Sequence, residues 1–287
     1  VKPIDPSHSS RSAEFRSLHG PWALVAGGSE GLGAAFVRAL AGLGLNVVAV
    51  AERPDPLRAL CDAVAGESGV EVRPAVVDLA EPDFPDRLRD HTRDLEVGLL
   101  VCNAAVSSIG RFLDRDVAHL EATVAVNCRA PLLLAREYGA AMARRGRGGI
   151  ILVSSLAGRQ GTALVAAYAA TKAFDLVLAE GLYDELRDHG VAVLGLCPGA
   201  TRTPGWERTE ARLDRSLRPP VMEPDAVVAE ALAALGRRPS AVAGRANRAA
   251  AWVLTHLLGR RRAVALMGRQ MRAQYPNEAG PTPPRTD

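Results

Sequence analysis

From Trp22 onward the chain alternates two patterns of apolar and polar positions. Short runs rich in Val, Ile and Leu (WALVAGG, NVVAVA, VRPAVVD, VGLLVCNAA, GGIILVSS and VAVLGLCPG) are about strand length and do not alternate with polar residues. Strands buried on both faces have that character. Between them lie longer stretches with apolar residues at helical spacing: AAFVRALAGLG, DPLRALCDAVAG, VAHLEATVAVNCRAPLLLAREYGAAMARRG and AAYAATKAFDLVLAEGLYDELRDHG. Repeated strand–helix–strand units require right-handed crossovers and a parallel sheet with helices on both faces. The pattern predicts a doubly wound α/β fold.

Ligands of such a sheet lie beyond the carboxyl ends of its strands, so the residues after each run are the candidates for chemistry. The first run leads through Gly27, Gly28, Ser29, Glu30, Gly31, Leu32 and Gly33 directly into a helical stretch. Glycines there let backbone approach a pyrophosphate and aim helix N-terminal amides at it, although a tight turn without a ligand uses the same residues. Later runs end at Asp78, Asn103-Ala104-Ala105, Ser154-Ser155 and Pro198-Gly199. Tyr168 and Lys172 stand one turn apart on a helical segment and leave the same face. Lys172 and Lys2 are the only lysines among 35 Lys and Arg residues. Hydride exchange between a nicotinamide and a carbonyl leaves charge on the substrate oxygen, which needs a proton donor. A tyrosine of ordinary pKa, about 10, is a poor base at neutral pH, and a nearby ammonium lowers that value.

The glycines at 27, 31 and 33, Asp78-Leu79, Asn103-Ala104-Ala105, Asn127, Ser155, Tyr168 with Lys172, and Pro198-Gly199 with Thr203 come in a familiar order and spacing. Over about residues 20 to 205 the chain resembles the short-chain dehydrogenases/reductases. The resemblance implies a Rossmann-type fold and an NAD(P)-dependent oxidoreductase that interconverts a secondary alcohol and a ketone, or an aldehyde. It implies Tyr168 as acid/base and Lys172 on the nicotinamide ribose and the phenol. Ser155, thirteen residues before Tyr168, is implied on the substrate oxygen, whereas Ser154 is out of that spacing by one. Asn127 is implied to kink its helix and hold a relay water. Each has a plainer use, Ser155 in capping a turn and Asn127 as a self-satisfied core amide. The implied cofactor contacts are Gly27, Ser29, Glu30, Gly31, Leu32, Gly33, Glu52, Arg53, Asp78, Leu79, Asn103, Ala104, Ala105, Tyr168, Lys172, Pro198, Gly199, Thr201 and Thr203. Ala26 replaces the family's threonine before Gly27, and Cys102 and Ala105 replace the first Asn and the Gly of Asn-Asn-Ala-Gly. These departures are expected to loosen the turn rather than to affect catalysis. The same fold also hosts non-catalytic dinucleotide-binding sensors or scaffolds, and isomerases, epimerases or dehydratases. The intact catalytic set argues against a scaffold.

Cofactor choice is read after the second run, where a carboxylate accepts from a ribose 2′-hydroxyl and repels a 2′-phosphate. The family's NAD-type Asp aligns with Ala51 and its NADP-type Arg with Glu52, followed by Arg53. Glu30 stands where many NADP-dependent members carry a cation. Two acidic residues at these places favour NAD over NADP.

With 287 residues, 48% of them apolar, the chain is long enough for one core with appendages. The expected division is a polar N-terminal arm over 1–19, the catalytic domain over 20–236 with a lid at about 200–222, a basic amphipathic extension over 237–274, and a disordered tail over 275–287. A net charge of +3 gives no reason to expect a nucleic-acid partner, but 237–272 holds nine arginines and no carboxylate. That stretch reads as one short strand and two amphipathic helices bearing Trp252, Leu254, Leu257, Leu258, Val264, Leu266 and Met267. Docking on the protein's own body or a second subunit, in a homodimer or homotetramer, is the expected use, ahead of peripheral contact with an anionic membrane. Cys61, Cys102, Cys128 and Cys197 form no C-x-x-C pair, no metal site is expected, and the setting is expected to be reducing and cytoplasmic. No secretory leader or membrane span is expected. Apolar residues around Leu156 and Ala163 to Ala167 point to a mainly hydrophobic alcohol or ketone.

Overall fold

Seven strands, counted among the described residues, pair in parallel in the order β3-β2-β1-β4-β5-β6-β7. The computed structural model describes residues 6–107, 109–209 and 221–279. Lys2, lid residues 210–220 and tail residues 280–287 lie outside it. In chain order the first half runs α1 (Pro6–His19), β1 (Trp22–Ala26), α2 (Gly31–Gly42), β2 (Asn46–Ala51), α3 (Pro54–Ser68), β3 (Val72–Val76), α4 (Phe84–Thr92) and β4 (Val97–Cys102). It continues with α5 (Val117–Val124), α6 (Ala130–Arg145), β5 (Gly148–Val153), α7 (Ala166–Arg187), β6 (Val191–Cys197) and the one-turn α8 (Pro204–Glu207). Last come α9 (Pro224–Ala234), β7 (Ser240–Val242), α10 (Arg245–His256), α11 (Arg260–Gln274) and the one-turn α12 (Pro276–Ala279).

The unalternating runs have the expected cause. Every residue of β1, β4 and β5 is buried. Along β1, Ala23 and Val25 join one core with Phe36, Leu40, Leu57 and Val228, while Trp22 and Leu24 join another with Phe84, Leu134, Tyr138 and Met142. Helices α2, α3 and α9 therefore cover one face of the sheet, and α4, α6 and α7 the other. β3 is the edge strand, where Pro74 removes no ladder bond that a neighbour needs. Strand order reverses between β1 and β4, which opens a crevice at their carboxyl ends.

Both ends of the chain do more than their composition predicts. The N-terminal arm is helical over Pro6–His19, and α1 packs its end against β4 and β5. Phe15 joins the core, and His19 is buried beside it. The extension adds β7 to the sheet edge beside β6 and brings α10 and α11 back onto the body, as its pattern predicts.

Candidate active site

The turn after β1 is shaped by what its glycines exclude. Gly27 has φ +81°, and a Cβ there would stand 2.6 Å from the Ala104 backbone. A Cβ on Gly33 would lie 1.8 Å from the Gly27 carbonyl oxygen, so the start of α2 closes on the turn only because that residue has no side chain. Without a threonine at Ala26, the turn is held by other bonds. Asn103 Nδ2 donates to the Gly27 carbonyl at 2.9 Å, and the Asn103 and Ala104 amides donate to the Ala26 carbonyl at 2.9 and 2.8 Å. These bonds tie the turn to the Asn103–Ala104 segment without the threonine hydroxyl.

This turn floors a cleft of about 340 Å³. Of the predicted contacts, Gly27, Ser29, Glu30, Gly31, Leu32, Glu52, Arg53, Asp78, Leu79, Asn103, Ala104, Ala105 and Thr203 line it, joined by Ala51, Val77, Val106, Val126 and Gly205. Gly33, Tyr168, Lys172, Pro198, Gly199 and Thr201 are not among its lining residues. Thr201 is buried in the base of the lid, donating to the Gly199 carbonyl and bridging to Met222. Pro198 accepts from the Leu156 amide, and Gly199 packs against Asn247 of α10. A groove floored by side-chain-free backbone at the N-terminus of α2 fits a dinucleotide pyrophosphate.

At the end of the cleft lined by Glu52 and Arg53, Glu30 is bound on two sides. Arg53 donates to it at 2.8 Å, and Arg208 of the lid makes a short contact with its other oxygen. The Arg208 hydrogen bond, opposed by burial and helped by Arg53, holds the Glu30 carboxyl below its ordinary value. Glu30 is thus not a free charge facing the cleft. Arg208 is 178 residues away, and nothing in the local sequence signals its approach.

The catalytic candidates stand beside this cleft. Between α5 and α6 the helix widens into a π-turn over Ala125–Arg129, centred on Asn127. Asn127 is fully buried; its Oδ1 accepts from the Val106 amide at 2.7 Å, and its Nδ2 donates to the Val106 carbonyl and to Thr171 Oγ1, both at 3.0 Å. The side chain therefore ties the cleft-lining loop after β4 to α7, with both its N–H groups committed and one Oδ1 lone pair left. Ser154 is buried and donates to the Lys172 carbonyl. Ser155 is half-buried and accepts from the Ala157 amide at 3.1 Å, which leaves its own O–H proton unspent. Of the pair, Ser155 alone can donate to a substrate. Tyr168 is half-buried, whereas Lys172 is 2% exposed and donates to the Val153 carbonyl at 2.7 Å and to Asp175 Oδ2 at 2.9 Å. Asp175 went unnoticed in the sequence, although a carboxylate three residues after the lysine on an apolar helix face was its signal.

The extension closes the site from the far side. α10 packs on the turn over Leu156–Arg159 that follows Ser155, and Gly268 of α11 faces Ala163. Buried Tyr275 meets Thr209 of the lid, Oη to Oγ1 at 3.3 Å, and Glu278 pairs with Arg115 at 2.8 Å.

The family model for short chain dehydrogenases matches residues 21–214. The chain is a short-chain dehydrogenase. It is 33% identical over 234 residues to a 7β-hydroxysteroid dehydrogenase of Clostridium sardiniense, covering 82% of this chain and 89% of that protein. A solved structure bearing on 7β-hydroxysteroid dehydrogenase stereoselectivity superposes with a TM-score of 0.82 at 28% identity, covering 88% of this chain and 99% of the other. A short-chain dehydrogenase from Sphingobium yanoikuyae in complex with NADPH superposes with a TM-score of 0.70 at 32% identity, covering 78% and 87%. This dehydrogenase is an NAD(P)-dependent oxidoreductase acting on the CH–OH group of a secondary alcohol and the corresponding ketone, not a scaffold or an isomerase. Among the described residues, none of its helices is long and apolar enough to cross a membrane.

Proposed function

We propose that Tyr168 is the acid/base of this dehydrogenase, that Ser155 donates to the substrate oxygen, that Lys172 stands behind the phenol, and that Asn127 holds α7 in register with the cleft. The observation that carries this reading is the convergence of the Ser155 turn and the Tyr168–Lys172 face of α7, tied to the cleft wall through Asn127 and Val106. The glycine turn, Asp78 and Asn103 would hold the dinucleotide, whose nicotinamide supplies or accepts the hydride. In reduction the Ser155 hydroxyl donates to the carbonyl oxygen and polarises it. Tyr168 then delivers its phenolic proton to that oxygen, with the Lys172 ammonium favouring the phenolate that remains. Both Asn127 N–H groups are committed, so a relay water at that residue would donate to Oδ1 or to a backbone carbonyl that the π-turn frees from the helix ladder.

For the cofactor we favour NADP(H) over the NAD favoured by sequence. That preference counted Glu30 as a repelling charge, and Glu30 is matched by Arg53 and Arg208. Both arginines are about half exposed and able to turn onto a 2′-phosphate. For the substrate we favour a rigid, mainly apolar hydroxysteroid or ketosteroid. Support comes from the hydroxysteroid dehydrogenase likeness, which extends beyond residue 214, and from the extension walling the site beside Leu156 and Ala163.

The test is a titration of NADPH and NADH followed by a panel of 7-keto and 7β-hydroxy steroids and small ketones. NADPH should bind at least about tenfold more tightly, and Tyr168→Phe should lower steroid turnover about 100- to 10,000-fold with cofactor affinity kept. Turnover of small ketones alone would remove the steroid reading, and an active Tyr168→Phe enzyme would remove the acid/base assignment.

A further inference from the structure

Asp175 lies one turn beyond Lys172 on α7, on the face that also carries Tyr168. It is 2% exposed, as is Lys172. An ammonium has three donors. Two of those on Lys172 are taken, by the Val153 carbonyl at 2.7 Å and Asp175 Oδ2 at 2.9 Å, so the third has only one direction left. The second carboxylate oxygen, Oδ1, is buried without a hydrogen-bond partner. A partly unsatisfied buried ion pair is a poor stabiliser, since well-packed apolar side chains of similar volume do as well or better. Stability alone therefore does not account for this pair.

We propose that Asp175 is a positioning residue, the counter-ion that keeps Lys172 an ammonium and reserves its one uncommitted N–H for Tyr168 and the bound ribose. The proposal rests on the roles given above to Tyr168 and Lys172. The titratable groups around the pair are Tyr168 on α7, Cys102 at the end of β4 and Cys128 in the π-turn. Burial pushes both thiols up, Cys128 to about 11, so neither supplies a rival negative charge at neutral pH. Burial also draws the Lys172 ammonium down, but the charges of Asp175 and then Tyr168 outweigh it and hold the group above its ordinary value. Burial pushes the Asp175 carboxyl up against the pull of Lys172. About six pH units separate the ordinary values of the two groups, so the proton stays on the lysine.

Two lysines in the whole chain make the test direct. Full-length protein labelled with [ε-¹³C]lysine gives two resonances, and Lys2→Arg assigns them. The Lys172 signal should show no deprotonation up to about pH 10. In Asp175→Asn its midpoint should fall by at least about one pH unit, and alcohol oxidation should lose activity at alkaline pH by the same displacement, with Asp175→Glu restoring both. A wild-type Lys172 that titrates below about pH 9, or a midpoint unmoved in Asp175→Asn, overturns the counter-ion. If Asp175→Asn does not fold, the wild-type titration decides alone. A midpoint that moves while the activity profile stays fixed overturns the link to Tyr168, and places the fault in the roles assigned to Tyr168 and Lys172.

Discussion

Lys172 is the residue at which sequence and structure pull furthest apart in detail. In a chain that writes nearly all its cations as arginine, a single lysine in the body marks a site where a compact ammonium is needed. From sequence, Lys172→Arg is expected to impair turnover far more than folding. The burial of Lys172 adds a cost in folding to that expectation. Lys172 is 2% exposed and bonded to the Val153 carbonyl and Asp175, so a larger guanidinium must displace buried neighbours. Overpacking such a site costs about 1–3 kcal/mol. Lys172→Arg should therefore lower the thermal midpoint by several degrees and turnover by more than about tenfold. Scanning calorimetry beside steady-state kinetics checks both; an unshifted midpoint would mean that the pocket yields.

At the scale of elements, α1 shows how a polar segment is held by its end. His19 sits beneath the sheet next to Gly149, and burial, only partly offset by a hydrogen bond to Gly148, brings its pKa from 6.5 down to about 4. The unfolded chain takes up this proton near pH 6.5 and the folded one only near 4, so the anchorage is complete above pH 6.5 and weakens as pH falls through that window. A shift of this size corresponds to about 3 kcal/mol once the pH is below both values. Urea midpoints at pH 7.5 and 4.5 should diverge for the wild type and converge for His19→Leu, once other groups common to both proteins are subtracted. Equal acid sensitivity in the two proteins would show that α1 is not the acid-labile element. On the opposite side of the molecule, Arg208 beyond α8 reaches Glu30 and lays the lid's first turn over the glycine turn, so lid and cofactor rim are one electrostatic unit.

For the whole molecule, the side chains left outside the core indicate assembly. Val117, Val124, Leu132, Leu133 and Val177 stand exposed on neighbouring helices α5, α6 and α7. Exposed apolar residues grouped in this way are candidates for an interface. If the homodimer or homotetramer expected from sequence forms through these helices, Val124→Glu with Val177→Glu should lower its sedimentation coefficient. A wild-type monomer at micromolar concentration would remove the proposal. The extension also presents Trp252, Val253, Leu257 and Leu266 outward among its arginines, but it is held to its own chain through Asn247 against Gly199 and Met222. The tail, expected to be disordered from 275, is ordered over 275–279 and bonds Thr209 and Arg115.

What the sequence determined by itself was everything governed by local periodicity and spacing. Unalternating Val, Ile and Leu runs marked the strands, of which β1, β4 and β5 are buried throughout while edge strand β3 is partly open, and glycines at 27 and 33 marked a turn with no room for side chains. Tyr168 and Lys172 shared a face because helical geometry puts residues four apart together. What only the tertiary structure decided were contacts between residues far apart in the chain. Arg208 neutralises Glu30 across 178 residues, Asn103 replaces a missing hydroxyl, Asn127 spends its amide on Val106 and Thr171, and α10 and α11 wall the site. Such pairings depend on how the sheet brings loop ends together, and a charge read in sequence carries no sign of the opposite charge that packing will place beside it.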